Sequence, residues 1–220
     1  TWEAAILAAG AGIAGCDEVM AGRATAAWAL VRPPGHHASR SRGMGFCVFN
    51  NVAVAAKYAL QRYNLHRVAV VDFDVHHGNG TQDIFYEENS TLYISIHQYP
   101  HYPGTGDAGQ TGAGPGEGYT LNIPMAAGTG EPEYMRAFEK IIIPRLKKFG
   151  PELVLLSAGF DAHRLDPLSS INLESGSYKK IMEKLLSAMD KAIPFGIIFE
   201  GGYNHLATAE SVICTIDALL

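Results

Sequence analysis

The chain has 220 residues, 47% of them hydrophobic, with 17 Lys+Arg against 22 Asp+Glu for a net charge of −5. That balance excludes a disordered segment and a basic nucleic-acid wrapper. One domain with a sizeable core is expected, with no direct nucleic-acid binding. No apolar run approaches the roughly 18 residues that cross a bilayer, so a soluble protein without a membrane partner is expected.

Residues 2–21 read as an Ala-rich helix with Thr1 as a plausible N-cap. Residues 27–31 follow as a short apolar strand, stopped by Pro33-Pro34-Gly35. A helix is expected over 51–63, a strand over 68–71, a short helix over 80–87 and a strand over 92–96. A glycine-rich loop runs on to residue 118, and a helix over 132–148 should kink or end at Pro144. A strand at 153–157, a helix at 175–191, a strand at 195–199 and a helix at 206–219 complete the chain. Short apolar strands between helices imply strands buried on both faces. The expected fold is therefore a single α/β domain, 1–220, with a mostly parallel sheet and helices on both faces.

Cys16, Cys47 and Cys214 are widely spaced with no CxxC, which favours a reducing compartment. The expected location is the cytoplasm, or the nucleus in a eukaryote. The N-terminus lacks a basic signal region and starts without Met inside a helical pattern, so upstream residues are expected to be missing.

The segments that leave the strands carry the chemistry. The expected strand ends lead into Gly35-His36-His37, Asp72-Phe73-Asp74-Val75-His76-His77-Gly78, His97-Gln98, Gly159-Phe160-Asp161-Ala162-His163 and Glu200-Gly201-Gly202-Tyr203. In an open parallel sheet these ends share one edge, where ligands bind. Asp72, Asp74 and His76 alternate along extended backbone and share a face. A solvated loop would seldom follow so apolar a strand, and a calcium loop lacks its DxDxDG pattern and terminal Glu. A catalytic zinc keeps three protein ligands and one open position. Asp74 and His76 supply two, and Asp161 is the natural third, ahead of the plainer reading of an Asp that caps a helix. So oxygen-rich a set also suits Fe²⁺, Co²⁺ or Mn²⁺. His36 and His37 then read as general base and acid beside that metal, against the plainer reading of a surface pair in a turn. Gly104-Thr105-Gly106-Asp107-Ala108-Gly109 matches GxGxxG in form but lacks a following helix, so a dinucleotide site is rejected.

These motifs, together with Arg32-Pro33-Pro34-Gly35, Gly45-Phe46-Cys47, Asn50-Asn51 and Asn79-Gly80-Thr81-Gln82, resemble the zinc-dependent histone deacetylase family. They are most similar to its class II branch and to bacterial deacetylase-like and acetylpolyamine amidohydrolases. The resemblance implies an arginase/deacetylase-like fold whose N-terminal part is not shown by this chain. It implies Zn²⁺ (Fe²⁺ or Co²⁺ as substitutes) on Asp74, His76 and Asp161, the tandem pair His36 and His37, and Tyr203 as an oxyanion-stabilising hydroxyl. Asp72 would bond His36, and Asn79 would partner His37, raising its pKa less than a carboxylate would. Gly45, Phe46, Tyr102, Gly201 and Gly202 would line the substrate tunnel. A structural K⁺ would sit on Asp72, Asp74, His76, Ser95 and Ile96. The implied activity is removal of acetyl groups from acetyl-lysine in a protein or from an acetylated small amine. An acetylpolyamine amidohydrolase, an arginase-like binuclear hydrolase and a catalytically silent binding module are the alternatives. The binuclear signatures DxHxD and DxDxxDP are not met.

Overall fold

The computed structural model describes all 220 residues, Thr1–Leu220. Six strands, β1 (Ala26–Ala29), β2 (Val68–Asp72), β3 (Thr91–Gln98), β4 (Thr120–Met125), β5 (Leu153–Ala158) and β6 (Phe195–Phe199), form one sheet in the order β1-β6-β5-β2-β3-β4. Every pairing is parallel. The helices are α1 (Trp2–Met20), α2 (Asn51–Arg62), α3 (Asn79–Phe85), α4 (Glu131–Ala137), α5 (Ile143–Phe149), α6 (Ser175–Ala188) and α7 (His205–Asp217).

The apolar runs explain the layering. Along β2, Val68 and Val70 join a core with Cys16 of α1, Val52 of α2 and Phe85 of α3. Ala69 and Val71 point the other way, into a core with Phe138, Leu146 and Tyr178. The side-chain period of two sends alternate residues to opposite faces, so a strand between two helical layers must be apolar at every position. Asn50 caps α2 by accepting the Ala53 N–H at 3.0 Å, and Asn204 caps α7 by accepting that of Ala207 at 3.1 Å.

Two features differ from expectation. The apolar pattern marks no strand at β4. Its Thr-Leu-Asn-Ile-Pro-Met sequence is broken by polar residues and Pro124, as suits an edge strand that pairs only with β3. The run over 132–148 does not break at Pro144. A π turn at Phe138–Ile142 widens the backbone just before it, and Pro144 then falls in the first turn of α5. No helix is long and apolar enough to cross a membrane.

Candidate active site

Because all strands run in the same direction, the segments leaving β1, β2, β3, β5 and β6 emerge at one edge. Central neighbours β2 and β5, with Asp72 opposite Ser157, bring Asp74, His76 and Asp161 together. His76 Nδ1 lies 3.1 Å from Asp74 Oδ1 and 3.1 Å from Asp161 Oδ2, and all three residues are buried. Donor atoms around a tetrahedral ion with bonds of about 2.0–2.1 Å stand roughly 3.3 Å apart, so this group has the size and chemistry to close on a small divalent cation. The outer carboxylate oxygens are occupied from behind. Asp161 Oδ1 accepts the Val75 N–H at 2.9 Å, and Asp74 Oδ2 accepts the Gly201 N–H at 2.8 Å. These bonds orient the inner oxygens. Burial opposes ionisation of Asp74, but His36, His76 and the hydrogen bonds to it outweigh that and hold its pKa below the ordinary range. No other group of three or more metal-capable side chains converges in the chain.

The two adjacent histidines have opposite surroundings. His36 Nδ1 is 3.0 Å from Asp72 Oδ2, and that carboxylate also accepts the Tyr93 hydroxyl at 3.0 Å. Burial works against a charge on His36, but Asp72 and Asp74 overcome it and raise its pKa to about 10. His37 Nδ1 sits 2.8 Å from Asn79 Oδ1, a neutral acceptor. Burial, then the neighbouring His36 charge, push His37 down to about 2. His37 is thus neutral, with its Nδ1–H on Asn79 and the lone pair of Nε2 free.

Glu200 underlies the pair. It is buried, and its Oε2 accepts the N–H groups of Gly35 at 2.6 Å and His36 at 3.1 Å, while Ser157 donates to Oε1 at 3.0 Å. Burial raises its pKa to about 7. Arg32 crosses from the same segment, donating to the Glu200 carbonyl at 3.0 Å with its guanidinium 5.8 Å from the Tyr203 ring centre.

A cavity of about 460 Å³ opens onto these groups, lined by His37, Gly45, Phe46, His76, His101, Tyr102, Leu168 and Tyr203. Phe46 and Tyr102, 68% and 46% exposed, form its mouth. Gly45 has φ +57°, and a Cβ there would overlap the His37 ring, so glycine is needed on both counts. Phe46 itself takes φ +65°, a strained setting for a bulky residue that turns its ring to the mouth. Tyr203 sits 6.0 Å from Phe46 between ring centres, and burial raises its hydroxyl pKa well above the usual value, so it stays a donor. Cys47 is buried with its Sγ 3.3 Å from the Gly45 carbonyl oxygen, and burial keeps its thiol protonated.

Two of the expected tunnel residues sit apart from the cavity lining. Gly201 and Gly202 are not among the lining residues. A Cβ on Gly201 would overlap the Asp161 and Asp74 carboxylates, so it serves as the platform under the metal-capable group. Gly202 packs against Thr208 and Phe160. His101 and Leu168 line the cavity although no sequence motif marks them. The His101 ring stacks 5.1 Å from that of His76, and its Nε2 donates to the Leu168 carbonyl at 2.9 Å. The Asp166-Pro167 step before Leu168 is the one available signal.

The model of the histone deacetylase domain matches residues 1–219. The chain is 44% identical over 227 residues to histone deacetylase 10, chloroplastic, of Oryza sativa subsp. japonica, covering 100% of this chain and 51% of that protein. It is 42% identical over 222 residues to a histone deacetylase-like amidohydrolase of Pseudomonas aeruginosa, covering 100% of this chain and 58% of that one. The crystal structure of an HDA15 HD domain superposes with a TM-score of 0.94 at 42% identity, over 98% of this chain and 63% of that chain. The chain therefore spans between half and two thirds of the length of these relatives.

Proposed function

Because the chain belongs to the histone deacetylase family and has its arginase/deacetylase fold, we propose that it is a metal-dependent amidohydrolase that removes acetyl groups from primary amines. One observation carries the reading. A buried Asp-His-Asp group, a neutral histidine with a free Nε2 and a protonated tyrosine meet at one aromatic-walled cavity. Asp74, His76 and Asp161 would hold the ion, with Zn²⁺ favoured and Fe²⁺ or Co²⁺ as substitutes. When bound, the ion supplies Lewis acidity that polarises the acetamide carbonyl and acidifies water. His37 Nε2 takes the proton of the attacking water, with the ring held by Asn79. The Tyr203 hydroxyl donates to the developing oxyanion, where a donor acts most strongly. His36, kept cationic by Asp72, prevents His37 from holding a proton early and leaves it free to pass that proton to the departing amine.

Ser95 belongs to a second arrangement. Asp72 and Ser95 are paired in register across β2 and β3. His97 donates from Nε2 to the Gly106 carbonyl at 3.0 Å, so its Nδ1, 2.9 Å from Ser95 Oγ, accepts the Ser95 hydroxyl proton. With the Ser95 lone pairs free, Asp72, Asp74, His76, Ser95 and Ile96 would hold a structural K⁺ through carbonyls and side-chain oxygens.

The favoured substrate is an acetylated lysine side chain. Phe46 and Tyr102 match an aliphatic stem, and none of the lining residues is a carboxylate that would receive a second ammonium of a polyamine. Turnover of an acetyl-lysine peptide against an acetylated polyamine, by amine release, tests this. Preference for the peptide is expected, and preference for the polyamine would reverse the assignment. Retention of peptide turnover by His37→Ala at the wild-type rate would sink the mechanism.

A further inference from the structure

One buried carboxylate joins the rim of the cavity to Tyr203 and takes no part in the proton transfers of the proposed reaction. Asp166 is 5% exposed. Its Oδ2 accepts the main-chain N–H of Tyr203 at 2.7 Å and of Asn204 at 3.3 Å, and its Oδ1 accepts that of Leu168 at 2.9 Å. A desolvated carboxylate bonded to main-chain donors gains strong, directional bonds, and it fixes backbone rather than charge.

The segment it holds needs fixing. Tyr203 follows Gly201-Gly202, and Gly202 has φ +138°, a region that leaves the chain free to pivot. Beyond Tyr203 the backbone is set again, because Asn204 caps α7. The Tyr203 ring meets Phe46 at 6.0 Å and the Arg32 guanidinium at 5.8 Å, contacts that tolerate sliding. The 2.7 Å bond to Asp166 therefore decides where the tyrosine leaves the chain. The other oxygen of Asp166 holds Leu168, whose carbonyl receives His101 from the opposite wall. His101, Leu168, Asp166 and Tyr203 thus form one hydrogen-bonded path from rim to tyrosine.

We propose that Asp166 is a positioning residue that sets the Tyr203 hydroxyl over the Asp74–His76–Asp161 group and couples its position to the rim. The inference rests on the reading of Tyr203 as the oxyanion donor. Misplacing a reacting group by about 1 Å can cost on the order of 10²-fold.

The test is a double-mutant cycle on the full chain with an acetyl-lysine peptide, with metal content measured on every protein. Asp166→Ala should lower kcat by about 10- to 10²-fold, with full metal and KM within about twofold. Asp166→Asn keeps an oxygen that accepts an N–H and should recover part of the loss. Added to Tyr203→Phe, Asp166→Ala should cost less than about a further twofold, since the group it positions is already gone. Amide exchange over residues 201–205 should quicken in Asp166→Ala and Asp166→Asn while β5 and β6 stay protected. Multiplicative losses in the double variant, unchanged kcat in Asp166→Ala, or unchanged exchange overturns the role of Asp166 alone. Wild-type kcat in Tyr203→Phe overturns the tyrosine assignment, and the role of Asp166 falls with it.

Discussion

The floor and the mouth of the cavity are built on different principles. At the floor, Asp74, His76, Asp161 and His36 are buried, and each side chain shares a hydrogen bond with a group more than thirty residues away. At the mouth, Phe46 and Tyr102 are 68% and 46% exposed and present ring faces on loops. A buried charge is costly unless it is fully paired, so every atom at the floor is constrained. An exposed ring offers shape and apolar area, which several side chains could supply. Substitutions at the floor should therefore remove chemistry, and those at the mouth should rescale affinity.

Asp161→Ala gives the sharpest contrast. It removes one donor of the metal-capable group and the acceptor of the Val75 N–H. Bound metal and turnover should disappear together, by elemental analysis and peptide assay. Stoichiometric metal with near-normal turnover would refute the ligand assignment. Tyr203→Phe is the next step down. It should lose roughly 10²–10³-fold in kcat, about 2.7–4 kcal/mol, with metal retained and KM little moved. A loss confined to KM would place Tyr203 with the mouth rather than the floor.

Glu200 probes the floor through pH. Its folded pKa of about 7 lies above the ordinary 4.5, because burial favours the neutral acid. The stabilisation that this provides is fully present below about 4.5 and is lost as pH rises through 7. Glu200→Gln mimics the neutral acid. It should match the wild type in acid and gain relative stability above pH 7, by up to roughly 3 kcal/mol. Parallel melting-temperature profiles from pH 5 to 9 would contradict this. Phe46→Ala should give the smallest effect, a rise in KM of up to about tenfold with kcat nearly unchanged. A hundredfold fall in kcat would erase the distinction between the two regions.

Legibility in the sequence divides along the same line. Apolar strands that end in Asp, His or Glu place the floor at one sheet edge, because burial on both faces leaves a readable run. β4 leaves no such run, since an edge strand tolerates Asn122 and Pro124. The pairing of His36 with Asp72 and of His37 with Asn79 comes from family resemblance, not from spacing, because each joins separate segments of chain. The His101–Leu168 contact spans 67 residues between two loops, and nothing local announces it. Glu200 is visible as a motif residue, but the main-chain donors it serves lie 165 and 164 positions away. Gly201 and Gly202 enter the expected tunnel through the family resemblance, because a glycine pair by itself shows only that space is short. It does not show which atoms take up that space.

The adjacency of β2 and β5 also has a consequence for biosynthesis. His76 and Asp161 stand 85 positions apart, and the N–H that orients Asp74 belongs to Gly201, 127 positions beyond it. A ribosome that has released the chain only as far as β4 has exposed Asp74 and His76 without their third companion. Parallel pairing across such a span forms late, after long loops have closed. Assembly of the metal-capable group therefore awaits synthesis of β5 and β6, and a nascent chain stalled before β5 would lack its third member.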